Sequence, residues 1–444
     1  MVLVGVPALR SGTPAFTLRG VRVSGTSLET AEVNRLLSRL SAVDDHVARR
    51  YPGARAARQP VHTCYVPADR VDAEVLRRWG SEALSALDSH AATPEALASA
   101  LGLSGEIAGA VHPRVRSKLA SDPVEDLRID FEDGYLAPAG AADPDAVEDA
   151  DAERTAGVVA DWLRDGVAPG VFGLRVKSFD TPQLRARSVR TLDVFLTALL
   201  ARHGSVPDGL VLTFPKVVDV AQVEVFVEVL ALAERRFGLA DGALRFEIQV
   251  ETTQSIVDSE GRFALPRFLG AGAGRVSGLH FGTYDYTAAC GLTAAHQHLA
   301  HGACDFARHA MQVAAAGTGV FLSDGSTNVL PVGEQVEHGW RTHYDLLRRS
   351  LAHGFYQSWD LHPAQLVTRY AAVFAAFRDS AGAEAARLAA YTSAAGGAVL
   401  DEPATARALA ASFVRALDNG ATDAEEVESM TGLAEDDLRA LGRL

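Results

Sequence analysis

Arg245-Phe-Glu-Ile-Gln-Val-Glu-Thr-Thr-Gln254 is a largely apolar run that leads into a carboxylate, Glu251. The pattern returns in Gly278-Leu-His-Phe-Gly-Thr-Tyr-Asp-Tyr286, which leads into Asp285. The separation between the two carboxylates matches one strand–helix–strand unit. Consecutive strands of a parallel barrel point the same way, so both carboxylates are expected at the C-terminal rim, where barrel enzymes hold their catalytic groups.

The two carboxylates have two interpretations. Oxygen ligands from adjacent strand ends, completed by water and substrate, suit Mg²⁺, with Mn²⁺ as the alternative ion. In the other interpretation each acid caps the helix that follows its strand. The spacing alone leaves both interpretations open and predicts only that Glu251 and Asp285 lie near each other.

Strand-like runs alternate with helical segments between residues 57 and 365. Eight such runs favour an α/β fold of the (β/α)8 TIM-barrel type over a doubly wound sheet. No Gly-x-Gly-x-x-Gly pattern follows any of them, so the sequence does not support a dinucleotide site. The runs are 60–67, 126–134, 171–177, 209–217, the two stretches above, 319–324 and 355–362.

Three segments are expected to flank or interrupt the barrel. Residues 1–56 are predicted to form an N-terminal arm with one helix from about residue 27 to 50, where apolar residues recur at helical spacing. Residues 81–125 are predicted to be a helical insertion after the first strand. Residues 366–444 are predicted to be a C-terminal helical extension, because the strand–helix alternation stops there and the composition becomes rich in Ala.

Two connections inside the barrel region also have predicted conformations. A short helix is expected over residues 72–80, directly after the first strand. Residues 137–151 are acidic and contain proline, so we expect a loop there, followed by a helix over 152–164.

Composition and charge exclude several classes of function. The chain has 444 residues, 48% hydrophobic content and a net charge of −14, so a large core is expected, and the sequence analysis identifies no basic cluster that would bind nucleic acid. Three cysteines without CxxC spacing argue against a disulfide framework and fit a reducing cytosol. The chain start does not resemble a signal peptide, and no apolar run reaches the ~18 residues of a membrane span. We therefore expect a cytoplasmic protein with no nucleic-acid or membrane partner.

Nine short motifs follow one another in order from about residue 60 to 365. The motifs are Tyr65-Val-Pro-Ala-Asp-Arg70, Ile129-Asp-Phe-Glu-Asp-Gly134, Leu174-Arg-Val-Lys177, Phe214-Pro-Lys-Val217, Val250-Glu-Thr-Thr253, Phe281-Gly-Thr-Tyr-Asp-Tyr286, Ala307-Arg308, Ser323-Asp-Gly325 and Trp359-Asp-Leu-His-Pro-Ala-Gln365. Each motif is weak alone, but their order is specific. Together they resemble the HpcH/HpaI aldolase/citrate lyase family, and most closely its citrate lyase β-subunit and malyl-CoA lyase branch.

The resemblance implies roles for five residues at the rim. Glu251 and Asp285 would be the Mg²⁺ ligands. Arg175 would be catalytic and would bind the substrate, meeting an enolate oxygen or a carboxylate with its planar fork. Glu132 and Asp133 would orient metal-bound waters. The alternatives are a surface salt bridge for Arg175 and a helix cap for the two acids.

The chain also departs from the family pattern. Lys177 replaces an Asn of the motif and shares a strand face with Arg175, so it is expected to add positive charge beside an anionic substrate. Ala68 and Asp69 replace a Gly-Asn pair near the position where CoA-using members hold the CoA chain, which leaves CoA use open. Lys216 is compatible with a Schiff-base role, but an ion pair with Glu132 or Asp133 is favoured because the family works through a metal.

The resemblance implies a Mg²⁺-dependent carbon–carbon lyase of the aldol or Claisen type. Its substrate would be a 2-oxo or 2-hydroxy carboxylic acid or the CoA thioester of one. The rival interpretations are a thioester hydrolase on the same scaffold and a non-catalytic regulatory or binding subunit. The family also implies a homo-oligomer, a trimer or hexamer, in which Asp401 of a neighbouring subunit is a candidate general base.

Overall fold

A closed barrel of eight parallel strands forms the centre of the protein. The computed structural model describes residues 16–18, 21–23, 28–53, 55, 57–136, 141–393 and 402–443. In sheet order the strands are Ser358–Asp360, His62–Pro67, Asp126–Asp130, Val171–Arg175, Val211–Phe214, Arg245–Val250, Val276–Phe281 and Phe321–Ser323. A parallel bridge between Ser323 and Gln357 joins the two ends of the sheet. The amide of Asp324 donates to the carbonyl oxygen of Gln357 at 2.8 Å across this seam. The predicted (β/α)8 barrel is therefore confirmed.

The strands are short, and all eight barrel strands run parallel to their neighbours. A separate antiparallel pair precedes them, β1 (Phe16–Leu18) and β2 (Val21–Val23). The barrel strands are β3 (His62–Pro67), β4 (Asp126–Asp130), β5 (Val171–Arg175), β6 (Val211–Phe214), β7 (Arg245–Val250), β8 (Val276–Phe281), β9 (Phe321–Ser323) and β10 (Ser358–Asp360).

Helices connect the strands and extend the chain at both ends. The helices before β6 are α1 (Thr30–Leu37), α2 (Ser41–Arg50), α3 (Val75–His90), α4 (Pro94–Leu101), α5 (Gly105–Ser121), α6 (Pro144–Asp165) and α7 (Pro182–His203). Those after it are α8 (Val220–Phe237), α9 (Thr253–Ile256), α10 (Leu265–Ala271), α11 (Thr283–Ala289), α12 (Gly302–Ala315), α13 (Val336–Ala352), α14 (Gln365–Thr392), α15 (Pro403–Asn419), α16 (Ala424–Thr431) and α17 (Glu435–Arg443).

Two predicted connections differ from the structure. The short helix expected over 72–80 is the start of α3, which continues to His90 because its apolar face packs in the core. Within the predicted loop 137–151, residues 137–140 lie outside the described part, but α6 begins already at Pro144. The side chain of Asp143 accepts a hydrogen bond from the amide of Ala146 at 3.1 Å. An N-cap aspartate followed by proline is a strong helix start, and the acidic composition had obscured it.

The helices of the predicted insertion pack against the C-terminal part of the chain. Helix α14 contacts α3, α5 and α13, and α15 and α16 pack on α14. The Tyr370 hydroxyl on α14 donates to the carbonyl oxygen of Pro123, just before β4, at 3.0 Å. The division into arm, barrel, insertion and extension stays a prediction, and the last three of these segments share one hydrophobic core. None of the described helices has the length and apolar content that crossing a bilayer requires.

The interior of the barrel contains a buried charged network where branched aliphatic side chains are usual. The Arg128 guanidinium is 1% exposed and donates to Asp126, to Thr213 Oγ1 at 3.0 Å and to Glu247 Oε2 at 2.7 Å. His280 Nε2 lies 3.0 Å from the same Glu247 oxygen. Burial disfavours the ionised form of Glu247, but the charges of Arg128 and His280 hold its pKa well below the usual value.

We expect Arg128→Met to lower the free energy of unfolding by ~3–5 kcal/mol, because it leaves two buried carboxylates without their cation. Urea denaturation measures the loss. Arg236→Met is the matched control, since Arg236 lies exposed near the end of α8, and such surface changes stay within ~0.5 kcal/mol. A loss below ~1 kcal/mol for Arg128→Met would show that the network does not depend on the guanidinium.

Candidate active site

The predicted functional side chains gather at the C-terminal rim of the barrel. Glu251 follows the last residue of β7, and Arg175 is the last residue of β5. Glu132 and Asp133 lie in the turn after β4. Asp285 lies in the first turn of α11 and not at the tip of β8. The structure therefore brings these five residues to one end of the barrel, although Asp285 comes from a helix.

Lys216 lies at the centre of this group. Its ammonium is 2.5 Å from Glu132 Oε1, 2.7 Å from Asp133 Oδ2 and 3.7 Å from Asp285 Oδ2. Its backbone amide donates to Glu251 Oε1 at 2.8 Å. The predicted ion pair of Lys216 with Glu132 and Asp133 is confirmed.

The backbone of Lys216 has an unusual conformation. Its φ is 51°, in the left-handed region that residues with a side chain rarely adopt. This geometry directs both its amide and its ammonium toward acidic side chains of the rim. Such strain is often found at functional sites in proteins, and here it accompanies the contacts of Lys216 with the rim carboxylates.

The Arg175 fork has a partner that the sequence analysis did not assign. Nε donates to Asp130 Oδ1 at 2.7 Å, and Nη2 donates to Asp130 Oδ2 at 2.6 Å. The third nitrogen, Nη1, lies 3.5 Å from Glu132 Oε2. The expected bidentate edge is therefore occupied by Asp130, and Nη1 is the nitrogen that faces the other rim carboxylates. The sequence contains an indication of this partner, because Asp126, Arg128 and Asp130 occupy alternate positions of β4 and therefore share one face of the strand.

Tyr65 is a second residue that the sequence analysis did not single out. The Arg175 guanidinium carbon lies 4.8 Å from the centre of the Tyr65 ring. The centres of the Tyr65 and Trp359 rings are 4.5 Å apart. The Tyr65 hydroxyl is buried and has no hydrogen-bond partner among the described residues. The aromatic ring therefore packs against the Arg175 guanidinium, and a buried hydroxyl without a partner in a protein needs an explanation such as a bound group.

Lys177 is turned away from the group around Lys216. Its ammonium donates to the carbonyl oxygen of Phe131 at 2.8 Å and lies 3.3 Å from Glu148 Oε2 on α6. It also lies 5.6 Å from the centre of the Tyr135 ring. The expectation that Lys177 contacts the substrate disagrees with this geometry, because a salt bridge to the helix layer directs the ammonium outward.

Burial dominates the electrostatics of the rim carboxylates, and neighbouring negative charges add to its effect. Burial, followed by the negative charges of Asp285 and Glu132, raises the pKa of Glu251 to about 8 against the opposing charge of Lys216. Burial also raises the pKa of Glu132 to about 7, although Arg175 and Lys216 oppose the shift. Both carboxylates are thus held in surroundings that disfavour their ionised forms unless a further cation is present.

The donor set fits a divalent cation bound by oxygen. Asp130, Glu132, Asp133, Glu251 and Asp285 bring five carboxylates to the rim, against the two cations Arg175 and Lys216. This leaves three formal negative charges, and carboxylate oxygens are the ligands that Mg²⁺ prefers. The glycine that precedes α11, Gly282, leaves room for the Glu251 side chain, because a Cβ there would overlap it.

A different cluster, His62, Cys64 and Asp360, is close enough to hold a metal ion but does not fit one. His62 Nδ1 lies 3.0 Å from Asp360 Oδ2, and His62 Nε2 accepts the amide of Glu125 at 2.9 Å. Both ring nitrogens are therefore engaged, and Arg369 already forms two hydrogen bonds to Asp360. Asp401, the candidate general base, lies outside the described residues.

Comparison with known proteins gives one family match and several distant structural likenesses. The model of a family described as "Domain of unknown function (DUF6986)" matches residues 40–444. No curated protein matches.

Three solved structures illustrate the structural likenesses. The Haloferax volcanii malate synthase magnesium/glyoxylate complex is 15% identical, with a TM-score of 0.47 over 88% of this chain and 99% of that one. The pyruvate/acetyl-CoA ternary complex of the same enzyme is 17% identical, with a TM-score of 0.46 over 87% and 99%. An HpcH/HpaI aldolase/citrate lyase family protein from Burkholderia cenocepacia is 15% identical, with a TM-score of 0.34 over 58% and 86%. At such values the evidence for the barrel remains its own strand order.

Proposed function

Since the chain belongs to the family described as "Domain of unknown function (DUF6986)", we propose its function from its own site: a Mg²⁺-dependent carbon–carbon lyase. The reaction is an aldol-type or Claisen-type cleavage, or the reverse condensation. The substrate is a 2-oxo or 2-hydroxy carboxylic acid, or the CoA thioester of one. The observation that carries the proposal is the excess of carboxylates around Lys216, with Arg175 beside them at the barrel rim.

The rim residues divide the work between cation binding and anion stabilisation. Glu251 and Asp285 would hold the Mg²⁺, which when bound supplies a Lewis acid that polarises a substrate carbonyl. Lys216 positions Glu132 and Asp133 through its ammonium and Glu251 through its amide. Arg175 Nη1 faces the same space and would stabilise the enolate charge that develops as the carbon–carbon bond breaks.

The ordered motifs that resemble the HpcH/HpaI aldolase/citrate lyase family support this proposal, because they place a carboxylate or a cation at several successive strand ends. The citrate lyase β-subunit and malyl-CoA lyase branch remains the proposed branch. A thioester hydrolase would use the same cation and would consume a CoA thioester without breaking a carbon–carbon bond. A non-catalytic subunit would bind the carboxylate without turnover.

A screen of 2-oxo acids, aldehydes and 2-hydroxy acids, each with and without acyl-CoA, tests the proposal. Carbon–carbon cleavage or condensation that requires Mg²⁺ or Mn²⁺ and stops on chelation is the expected result. Release of free CoA without a new or broken carbon–carbon bond would favour the hydrolase. Saturable, metal-dependent binding without turnover of any substrate would favour the binding subunit.

We also propose that the protein is a homo-oligomer, a trimer or hexamer as the family resemblance implies. Helices α1 and α2 and the 3-10 turn Ser38–Leu40 between them have no buried residue, yet they expose the apolar side chains Leu36, Leu37, Leu40, Val43 and Val47. An apolar helix face of this kind fits a second copy of the chain. Sedimentation velocity at micromolar concentration is expected to show the oligomer, and Leu36→Glu/Leu40→Glu is expected to shift it toward the monomer. An active monomer of 47.0 kDa would exclude a catalytic group donated between subunits.

A further inference from the structure

A cavity of about 370 Å³ lies at the N-terminal end of the barrel, away from the candidate active site. It is enclosed by the end of α2 and by the chain at the starts of β7, β8 and β9. Its lining includes four arginines and no acidic residue. The arginines are Arg49, Arg50, Arg55 and Arg245. Arg49, Arg50 and Arg55 are close together in the sequence, and the fold adds Arg245 from the start of β7.

Two of the four arginines, Arg55 and Arg245, have no counter-ion among the described residues. Neither Arg55 nor Arg245 forms an ion pair or a side-chain hydrogen bond in this part of the chain, and Arg245 Nε is buried without an acceptor. The Arg55 guanidinium carbon lies 5.6 Å from the centre of the Phe321 ring. Burial lowers the pKa of both guanidinium groups, and the charge of Arg55 lowers that of Arg245 further.

Two other arginines at this end of the barrel do have acidic partners. Arg58 pairs with Glu125, and Arg275 pairs with Glu234. The chain as a whole carries a net charge of −14, so acidic partners are abundant. Outside the described residues, Asp401 is the only acidic side chain, since the sequence contains no Asp or Glu before Glu29.

We propose that this cavity binds a doubly charged oxyanion, a phosphate group, between Arg55 and Arg245. A guanidinium presents several N–H donors in one plane and matches the geometry of phosphate oxygens. Arg49 and Arg50 lie at the same cavity and add positive charge, and Arg50 is held there by a hydrogen bond to the Pro266 carbonyl oxygen. The volume falls in the range of small-ligand sites, so the phosphate group can be free or part of a small organic molecule.

This site is distinct from the candidate active site. Arg245 and Glu251 lie at opposite ends of β7, which at ~3.3 Å per residue separates them by on the order of 20 Å. A molecule at Arg245 therefore does not reach the rim carboxylates. The phosphate site does not depend on the proposed lyase activity.

Calorimetric titration with inorganic phosphate and with a small phosphate monoester tests the proposal, at low ionic strength and without substrate. We expect saturable one-to-one binding, weakened at least tenfold in Arg55→Gln and in Arg245→Gln and lost in the double variant. Arg236→Gln, an exposed arginine near the end of α8, is the control and keeps the affinity of the parent chain. Tighter binding of the monoester identifies an organic ligand, and equal affinities identify the free ion.

Thermal unfolding gives a second readout that a purely structural role of the arginines would not produce. Phosphate is expected to raise the midpoint of the parent chain and not that of the double variant. Without phosphate, Arg245→Gln is expected to unfold at the same or a higher temperature, because it removes a buried repulsion. The proposal is overturned if neither probe saturates, if the double variant binds as the parent does, or if binding appears only after Asp401→Asn, which would assign the cavity to the chain's own carboxylate.

Discussion

Glu251→Gln is expected to lose on the order of 10³-fold or more in turnover, because a bound cation supplies several kcal/mol of charge stabilisation and each 1.36 kcal/mol is tenfold in rate. The fold should persist, since the amide oxygen of glutamine can still accept the Lys216 amide. Mg²⁺ titration by calorimetry should show weaker binding in this variant and in Asp285→Asn. Activity is measured with the substrate that the metal-dependent screen identifies.

The control for Glu251→Gln is Glu224→Gln, which changes an exposed carboxylate on α8 and should leave both activity and Mg²⁺ affinity unchanged. If Glu251→Gln and Asp285→Asn both bind Mg²⁺ as tightly as the parent chain, the metal site is assigned to the wrong residues. In that case the excess of carboxylates would serve only to hold the Lys216 ammonium.

Arg175→Lys is expected to lower kcat by ~10²–10³ while changing KM much less, because enolate charge appears only as the carbon–carbon bond breaks. The structure gives a second reason why lysine cannot replace Arg175. Arg175 can bind Asp130 through Nε and Nη2 and still present Nη1 to the rim. A single ammonium cannot hold Asp130 in this way and reach the same space.

Asp130→Asn separates positioning from charge stabilisation in the Arg175 experiment. The substitution keeps the guanidinium but orients it less firmly. Changes to such supporting groups typically lower activity by ~10–100-fold. We therefore expect a smaller loss of kcat than for Arg175→Lys. If KM rises about tenfold or more at unchanged kcat in Arg175→Lys, Arg175 only anchors a carboxylate. A loss of folded protein in circular dichroism would show that the pair is structural.

The barrel could be predicted from sequence because its strands alternate with helices at regular intervals. Helix α8 illustrates this, since it fills the interval between the strand-like runs 209–217 and 245–254. The start of α6 could not be predicted from its acidic composition, because the decisive interaction is the cap that Asp143 forms. The prediction of helix 72–80 ended too early, since only packing in the core shows that α3 continues.

The position of the candidate site was also predictable, but its pairings were not. The order of the strand ends brings Glu251, Arg175 and Glu132 to one rim. Sequence spacing does not reveal that Asp130 occupies the Arg175 fork or that Lys177 turns toward Glu148. Such choices depend on which neighbour offers an acceptor at bonding distance, and that is set by the tilt and closure of the barrel.

The charged interior of the barrel constrains how this chain can change over time. Aliphatic cores accept many single substitutions of similar volume, whereas the loss of one member of a network such as Asp126, Arg128 and Glu247 leaves its partners unneutralised. Neutral drift at these positions therefore requires paired or triple replacements that arise together. Across relatives, we expect the three positions to co-vary as one unit, while the aliphatic positions of the same strands, such as Leu127 and Ile248, vary independently.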